Sequence, residues 1–129
     1  RYLGNLMFNK NYTHDLKFGE MKEKELANIL LNQKIEVKTD RKWKETGNIA
    51  VEFMSRGKKS GISITEAKYW AFILDNDNKI EGIIILPIDR LKQLSREYYS
   101  QGKITKGGDD NTSDMVLIPL NEIWKSQKD

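Results

Sequence analysis

The stretch Lys34–Met54 reads KIEVKTD, then a charged connector RKWKETG, then NIAVEFM, and its reading decides the fold. At the two-residue period of a strand, Ile35, Val37 and Thr39 share one face and Glu36, Lys38 and Asp40 the other. In the second run Ile49, Val51 and Phe53 oppose Ala50, Glu52 and Met54. The two runs are expected to pair as an antiparallel hairpin with Glu36 across from Glu52. That register, or one shifted by two, sets Ile35 against Phe53, Val37 against Val51 and Thr39 against Ile49. The opposite face then gathers Glu36, Lys38, Asp40 and Glu52, and function is sought there.

Around this stretch the chain has 129 residues, enough for a single domain with a hydrophobic core. No apolar run approaches the roughly 18–20 residues of a membrane span, and RYLGNLMFNK lacks an apolar signal segment, so a soluble protein is expected. The absence of cysteine excludes disulfides, thiolate metal sites and cysteine nucleophiles, and leans towards the cytoplasm. With His14 as the one histidine, a histidine-rich zinc site is implausible. Any metal would be held by carboxylates, which favours magnesium, manganese or calcium. A net charge of +3, from 22 basic and 19 acidic residues, is a mild pointer to a polyanionic partner.

Before the hairpin, residues 1–14 read as an arm whose Tyr2, Leu3, Leu6, Met7 and Phe8 would pack on the body or on a second subunit. Asp15–Asn32 reads as a helix with an apolar stripe of Phe18, Met21, Leu26 and Ile29. Glu20 falls on another side with Leu16, Ala27 and Leu31, partly sheltered, unlike the run from Lys22 to Glu25. After the hairpin comes SRGKKSGISITEA, where Thr65-Glu66-Ala67 could open a helical turn. Tyr69–Leu74 and Ile80–Leu86 read as buried strands flanking a DNDN turn. Asp89–Tyr99 is an amphipathic helix with Leu91, Leu94 and Tyr98 inward and Asp89 as cap. A polar loop is expected over 101–114, an edge strand over 115–120 and a closing turn over 121–125. The order predicts an α/β (α+β) fold, with a central mixed β-sheet flanked by helices.

The charged face has a chemistry. Hydrolysing a phosphodiester calls for a divalent ion that polarises a phosphate oxygen and acidifies a water. Hard ions need converging carboxylates. A lysine can orient the water or stabilise developing charge. Glu36-Val37-Lys38 places a carboxylate and an ammonium on one strand face; Asp40 and Glu52 would add ligands, and Glu20 could reach in from the helix. The plain alternative is a solvated sheet face. Two features favour chemistry: the like-charged Glu36–Glu52 pair, costly without a cation, and the basic residues Arg41, Lys42, Lys44, Arg56, Lys58 and Lys59 around it.

These residues resemble the PD-(D/E)XK nuclease superfamily, in particular small phage-type endonucleases similar to Holliday-junction resolvases. The resemblance covers roughly residues 15–90 and rests on DLKFGE, IEVKTDRKWKETGNIAVEF and SRGKKSGISITEAKYWAFIL, in that order. It implies a restriction-endonuclease-like core and metal-dependent cleavage of DNA, in the host cytoplasm if phage-encoded. Within it Glu36 and Lys38 match the (D/E)-x-K and Glu20 the glutamate of the first helix. The family's metal-binding Asp, on a strand before this motif, has no counterpart, because no acidic residue lies between Glu25 and Glu36. Asp40 or Glu52 would take its place, or the site is incomplete.

Other candidates have bland readings. His14 could serve as a general base, but a lone histidine in the lead reads first as incidental. SRGKKSGISIT lacks the P-loop pattern, so no nucleotide cofactor is expected, although Lys58, Lys59, Ser60 and Thr65 could contact phosphates. Tyr69, Trp70 and Phe72 are core residues before they are stacking residues. Trp43, among Arg41, Lys42 and Lys44 at the hairpin tip, stacks on DNA or packs on a partner. Asp109 and Asp110 lack EF-hand spacing. The sequence thus predicts a Mg2+- or Mn2+-dependent DNA endonuclease, homodimeric and structure-selective for branched DNA, similar to a Holliday-junction resolvase. Its catalytic residues are Glu20, Glu36, Lys38 and Glu52, its metal ligands Glu36, Asp40 and Glu52. Phosphates fall to Arg41, Lys42, Trp43, Lys44, Arg56, Lys58, Lys59, Ser60 and Thr65. The alternative is a non-catalytic nucleic-acid-binding module on the same fold.

Overall fold

A computed structural model of the chain describes residues 2–4, 18–31 and 34–125. Its contacts divide it into two units, Arg1–Ile35 and Glu36–Asp129. In the first, helix α1 (Phe18–Leu31) falls within the predicted range; residues 15–17 and 32, with Leu16, His14 and most of the arm, lie outside the described residues. The stripe is corrected. Met21 and Leu26 are exposed, whereas Ala27 is buried and Glu20 and Glu23 are half-buried. Glu20 is sheltered as expected, and Glu23 joins it at the i+3 position of the same face.

The second unit is mixed α+β. From the second residue of β1 (Ile35–Asp40) onward it runs α2 (Trp43–Thr46), β2 (Asn48–Ser55), β3 (Lys58–Lys59), β4 (Tyr69–Asn76), β5 (Lys79–Pro87), α3 (Ile88–Ser100), β6 (Ile104–Gly107) and β7 (Ser113–Pro119). The strands make two sheets, β1-β4-β5 and β3-β2-β7-β6, where one central sheet was expected.

The predicted hairpin does not form. The connector instead makes one helical turn, α2, with Thr46 Oγ1 donating to Lys42 O at 2.9 Å and Gly47 closing it at φ 72°. The chain leaves in the direction of the other sheet. There β2 pairs antiparallel with β7, Val51 opposite Val116 and Ile49 opposite Ile118. All four side chains are buried, so β7 offers β2 a better apolar face than β1 does. The alternation of β2 holds, but its partner is the last strand.

Three further expectations change. β7 is central between β2 and β6, not an edge. The supposed loop 101–114 contains β6 and a 3-10 turn at Asp109–Asn111. Helical geometry after β3 falls at Gly61–Ser63, so Thr65-Glu66-Ala67 does not open a helix. β4 and β5 form the expected hairpin, Trp70 opposite Leu86 and Phe72 opposite Ile84, around Asp77 and Asn78, both at positive φ. β5 is only half-buried: Ile84 and Leu86 face the core while Ile80 and Ile83 are exposed. α3 buries Leu91, Leu94 and Tyr98 as predicted. Asp89, however, makes no side-chain cap; Pro87 holds the cap position, and Asp89 sits in the first turn, where a carboxylate favours the helix dipole.

The core of this unit joins Ile49, Val51, Trp70, Phe72, Leu91, Leu94, Val116 and Ile118. Burial, followed by the charges of Glu122 and Glu97, pushes the Tyr98 phenol up. No helix among the described residues is long and apolar enough to cross a membrane.

Candidate functional site at the Glu36–Lys38 strand

β1 departs from its sequence pattern, with Ile35 half-buried as expected but Val37 not. Val37, on the face expected to be core, is 57% exposed. The side chains of Glu36 and Lys38 retain only 33% and 45% of their exposure. They are paired, Lys38 Nζ lying 3.1 Å from Glu36 Oε2. Lys38 Nζ also stands 5.5 Å from the centre of the Trp70 ring, within the range of cation–π attraction. Thr65 Oγ1 donates to Glu36 Oε1 at 3.3 Å and accepts from Ala67 N–H and from Trp70 Nε1–H, each at 3.1 Å.

Asp40, on the same face as Lys38, has a different task. Its Oδ1 accepts from Lys42 N–H at 2.9 Å and its Oδ2 from Ala50 N–H at 3.1 Å. One carboxylate thereby starts the α2 turn and clasps the end of β1 to β2. Asp40→Ala is expected to lower stability by about 2–3 kcal/mol, because two amides lose a charged acceptor. Asp40→Asn, with one acceptor oxygen in place of two, should fall between. Urea unfolding reads this as a lowered midpoint at constant slope; an unchanged midpoint would refute the clasp.

Lys38 and Asp40 form one wall of a cavity of about 510 Å³. The far wall is the outer face of the second sheet, where Ala50, Glu52, Met115 and Leu117 point away from the core. Glu52 thus shares a cavity with Lys38, but across a gap between sheets and not across a hairpin. Arg41, Lys42 and Lys106 also line it; Lys106 is ion-paired with Asp114.

The remaining predicted phosphate contacts lie elsewhere. Arg56 and Gly57 form the tight turn between β2 and β3, both at positive φ, and Lys58 and Lys59 are exposed on β3. None of the four lines the cavity. Ser60 Oγ is buried. Trp43 Nε1 donates to Asp75 O at 2.8 Å, so the indole packs on its own chain at the end of β4. Lys44 joins Arg41, Glu45 and the Asp75–Asn78 turn around a second cavity, of about 540 Å³ and mixed charge.

Among the described residues no three acidic or histidine side chains gather into a metal-binding group. A cage of Glu36, Asp40 and Glu52 therefore does not fit this arrangement. Glu36 differs from Asp40 in that its oxygens are held by side chains, which can move aside, and not by backbone amides. Sequence reasoning missed the tie from Trp70 and Thr65 to Glu36, because hydrogen bonds between residues 29 apart leave no mark in spacing. No protein family, curated protein or solved structure compared with the chain matches it.

Proposed function

We propose that the protein is a DNA endonuclease that hydrolyses phosphodiester bonds at the Glu36–Lys38 pair, with magnesium or manganese as its metal. The observation that carries this reading is the Glu36–Lys38 pair itself. Val37 stands in solvent, while Lys38 lies over the Trp70 ring and lines the cavity, with Glu36 paired to it at 3.1 Å. Lys38 would hold its ammonium beside the scissile phosphate, orienting water or balancing the charge that develops. Glu36 fixes that ammonium through the 3.1 Å pair and is the carboxylate to which a hydrated cation would bind. Magnesium suits such a site, since it keeps several waters and takes one or two carboxylates together with substrate phosphates. When bound it would supply a polarised phosphate oxygen and a more acidic water. Arg41, Lys42, Lys44 and Lys106 would hold the backbone. A restriction-endonuclease-like core, a homodimer cutting two strands, cytoplasmic residence and preference for branched DNA belong to the same reading.

A second reading, binding without cleavage, is favoured by the commitment of both Asp40 oxygens to backbone amides. One assay separates them: a labelled four-way junction and its linear duplex, incubated with magnesium, manganese or EDTA. Cleavage that needs the metal supports the endonuclease. Binding without cleavage in either metal supports the module. Four phosphate contacts predict a log–log salt slope of about −3 to −4 for affinity. A flat slope, with no cleavage, would remove nucleic acid as the partner.

A further inference from the structure

We propose that Thr65 is a positioning residue for the Glu36 carboxylate, with the direction of its hydroxyl proton fixed by Trp70; this rests on the reading of Glu36 and Lys38 as the reacting pair. A hydroxyl offers one proton and two acceptor positions. Both acceptor positions of Thr65 Oγ1 are filled, by the Ala67 N–H and the Trp70 Nε1–H at 3.1 Å each. These groups are donors only. The hydroxyl proton therefore points to Glu36 Oε1, 3.3 Å away.

The donors behind Thr65 are themselves fixed. Trp70 has no exposed surface, lies between its β4 neighbours in the core and packs on Phe72 with ring centres 6.0 Å apart. The Thr65 backbone N–H is tied to Gly61 O at 3.0 Å. One buried indole thus positions both members of the pair: its Nε1–H acts through Thr65 on the carboxylate, and its ring face attracts the Lys38 ammonium. With Oε1 occupied by Thr65, the other oxygen, Oε2, is the one presented to Lys38. In this role the Thr65 hydroxyl serves a carboxylate and not a phosphate.

The test uses the whole chain with Thr65→Val, which keeps the shape and removes the hydroxyl, and Thr65→Ser, which keeps the hydroxyl. The first readout is the Trp70 indole N–H resonance, assigned by its disappearance in Trp70→Phe. It should move in Thr65→Val, stay near its native position in Thr65→Ser, and move by a smaller amount in Glu36→Gln. The second readout is junction cleavage with magnesium: Thr65→Val should lower kcat by about 10–100-fold with little change in KM, and Thr65→Ser should restore most of it. Native cleavage by Thr65→Val, while Lys38→Ala and Glu36→Ala are inactive, would overturn the positioning role and leave the pair intact. Native cleavage by Lys38→Ala and Glu36→Ala would instead overturn the pair and the positioning role that rests on it. An indole resonance that stays put in both Thr65→Val and Glu36→Gln refutes the relay whatever the cleavage result. If Thr65→Val does not fold, Thr65→Ser and Glu36→Gln still decide it through that resonance.

Discussion

Lys38→Ala is expected to slow DNA cleavage by about 10²–10³-fold, the cost of removing one preorganised charge-stabilising group from a reacting centre. The fold should survive. Lys38 is almost half exposed and its pair with Glu36 is open to water, so the lost pair costs no more than about 1 kcal/mol. A rate loss far larger than the stability loss is the signature of a chemical role. Lys38→Arg should not restore the rate, because a planar guanidinium spreads its charge and cannot occupy the point position of an ammonium. Glu36→Gln should match Lys38→Ala, and the double variant should be little worse than either, since groups acting as a unit are not additive. Binding to the junction should persist in all of them. Cleavage by Lys38→Ala at the native rate would sink the assignment.

The second large effect falls on Gly61, at the start of the 3-10 turn that leads to Thr65. Its φ of 52° is in the left-handed region, and a Cβ placed there would collide with the carbonyl oxygen of Glu52. That oxygen belongs to the backbone of β2, so it cannot swing aside as a side chain would. Gly61→Ala should therefore combine a conformational cost of about 1–2 kcal/mol with a displacement of β2 or of the turn. We expect a total above about 2 kcal/mol and a fall in Tm of at least about 6 °C. Gly57→Ala is the control. Its φ is 76°, but nothing lies within 4 Å of the added carbon, so only the conformational cost remains. Equal melting temperatures for the two variants would show that the close approach at Glu52 is relieved without cost.

The same contrast between local pattern and distant partner explains what the sequence could tell. Alternation placed Ile49, Val51 and Phe53 on one face correctly, because burial acts on each strand by itself. It could not say that β7, far along the chain, supplies the other half of those pairs, since any apolar strand satisfies the same rule. For β1 the rule held only at Ile35, which is half-buried: Val37 is exposed, Glu36 is half-buried and Lys38 lies over the Trp70 ring. Such a departure from the local preference comes from contacts that the strand's own pattern does not contain, here those with Trp70 and Thr65. β6 was hidden because ITKG has one strongly apolar residue and ends in glycine; its strand character comes from pairing with β7. Glu36 and Lys38 were legible as a pair because two residues suffice to define them. Thr65, Trp70 and the clasp of Asp40 were not, because each depends on where the chain returns.

The pairing of β2 with β7 has a consequence for the protein's birth on the ribosome. β2, with Ile49, Val51 and Phe53 in strand order, is made before its long partner β7, and β4, β5, α3 and β6 are made in between. Until then, among the described residues, the short β2–β3 ladder is what the second sheet offers it. A nascent chain stalled before Ser113 would carry an unpaired apolar strand, the kind of segment that associates with copies of itself. Synthesis speed through β6 and β7 therefore sets how long that hazard lasts.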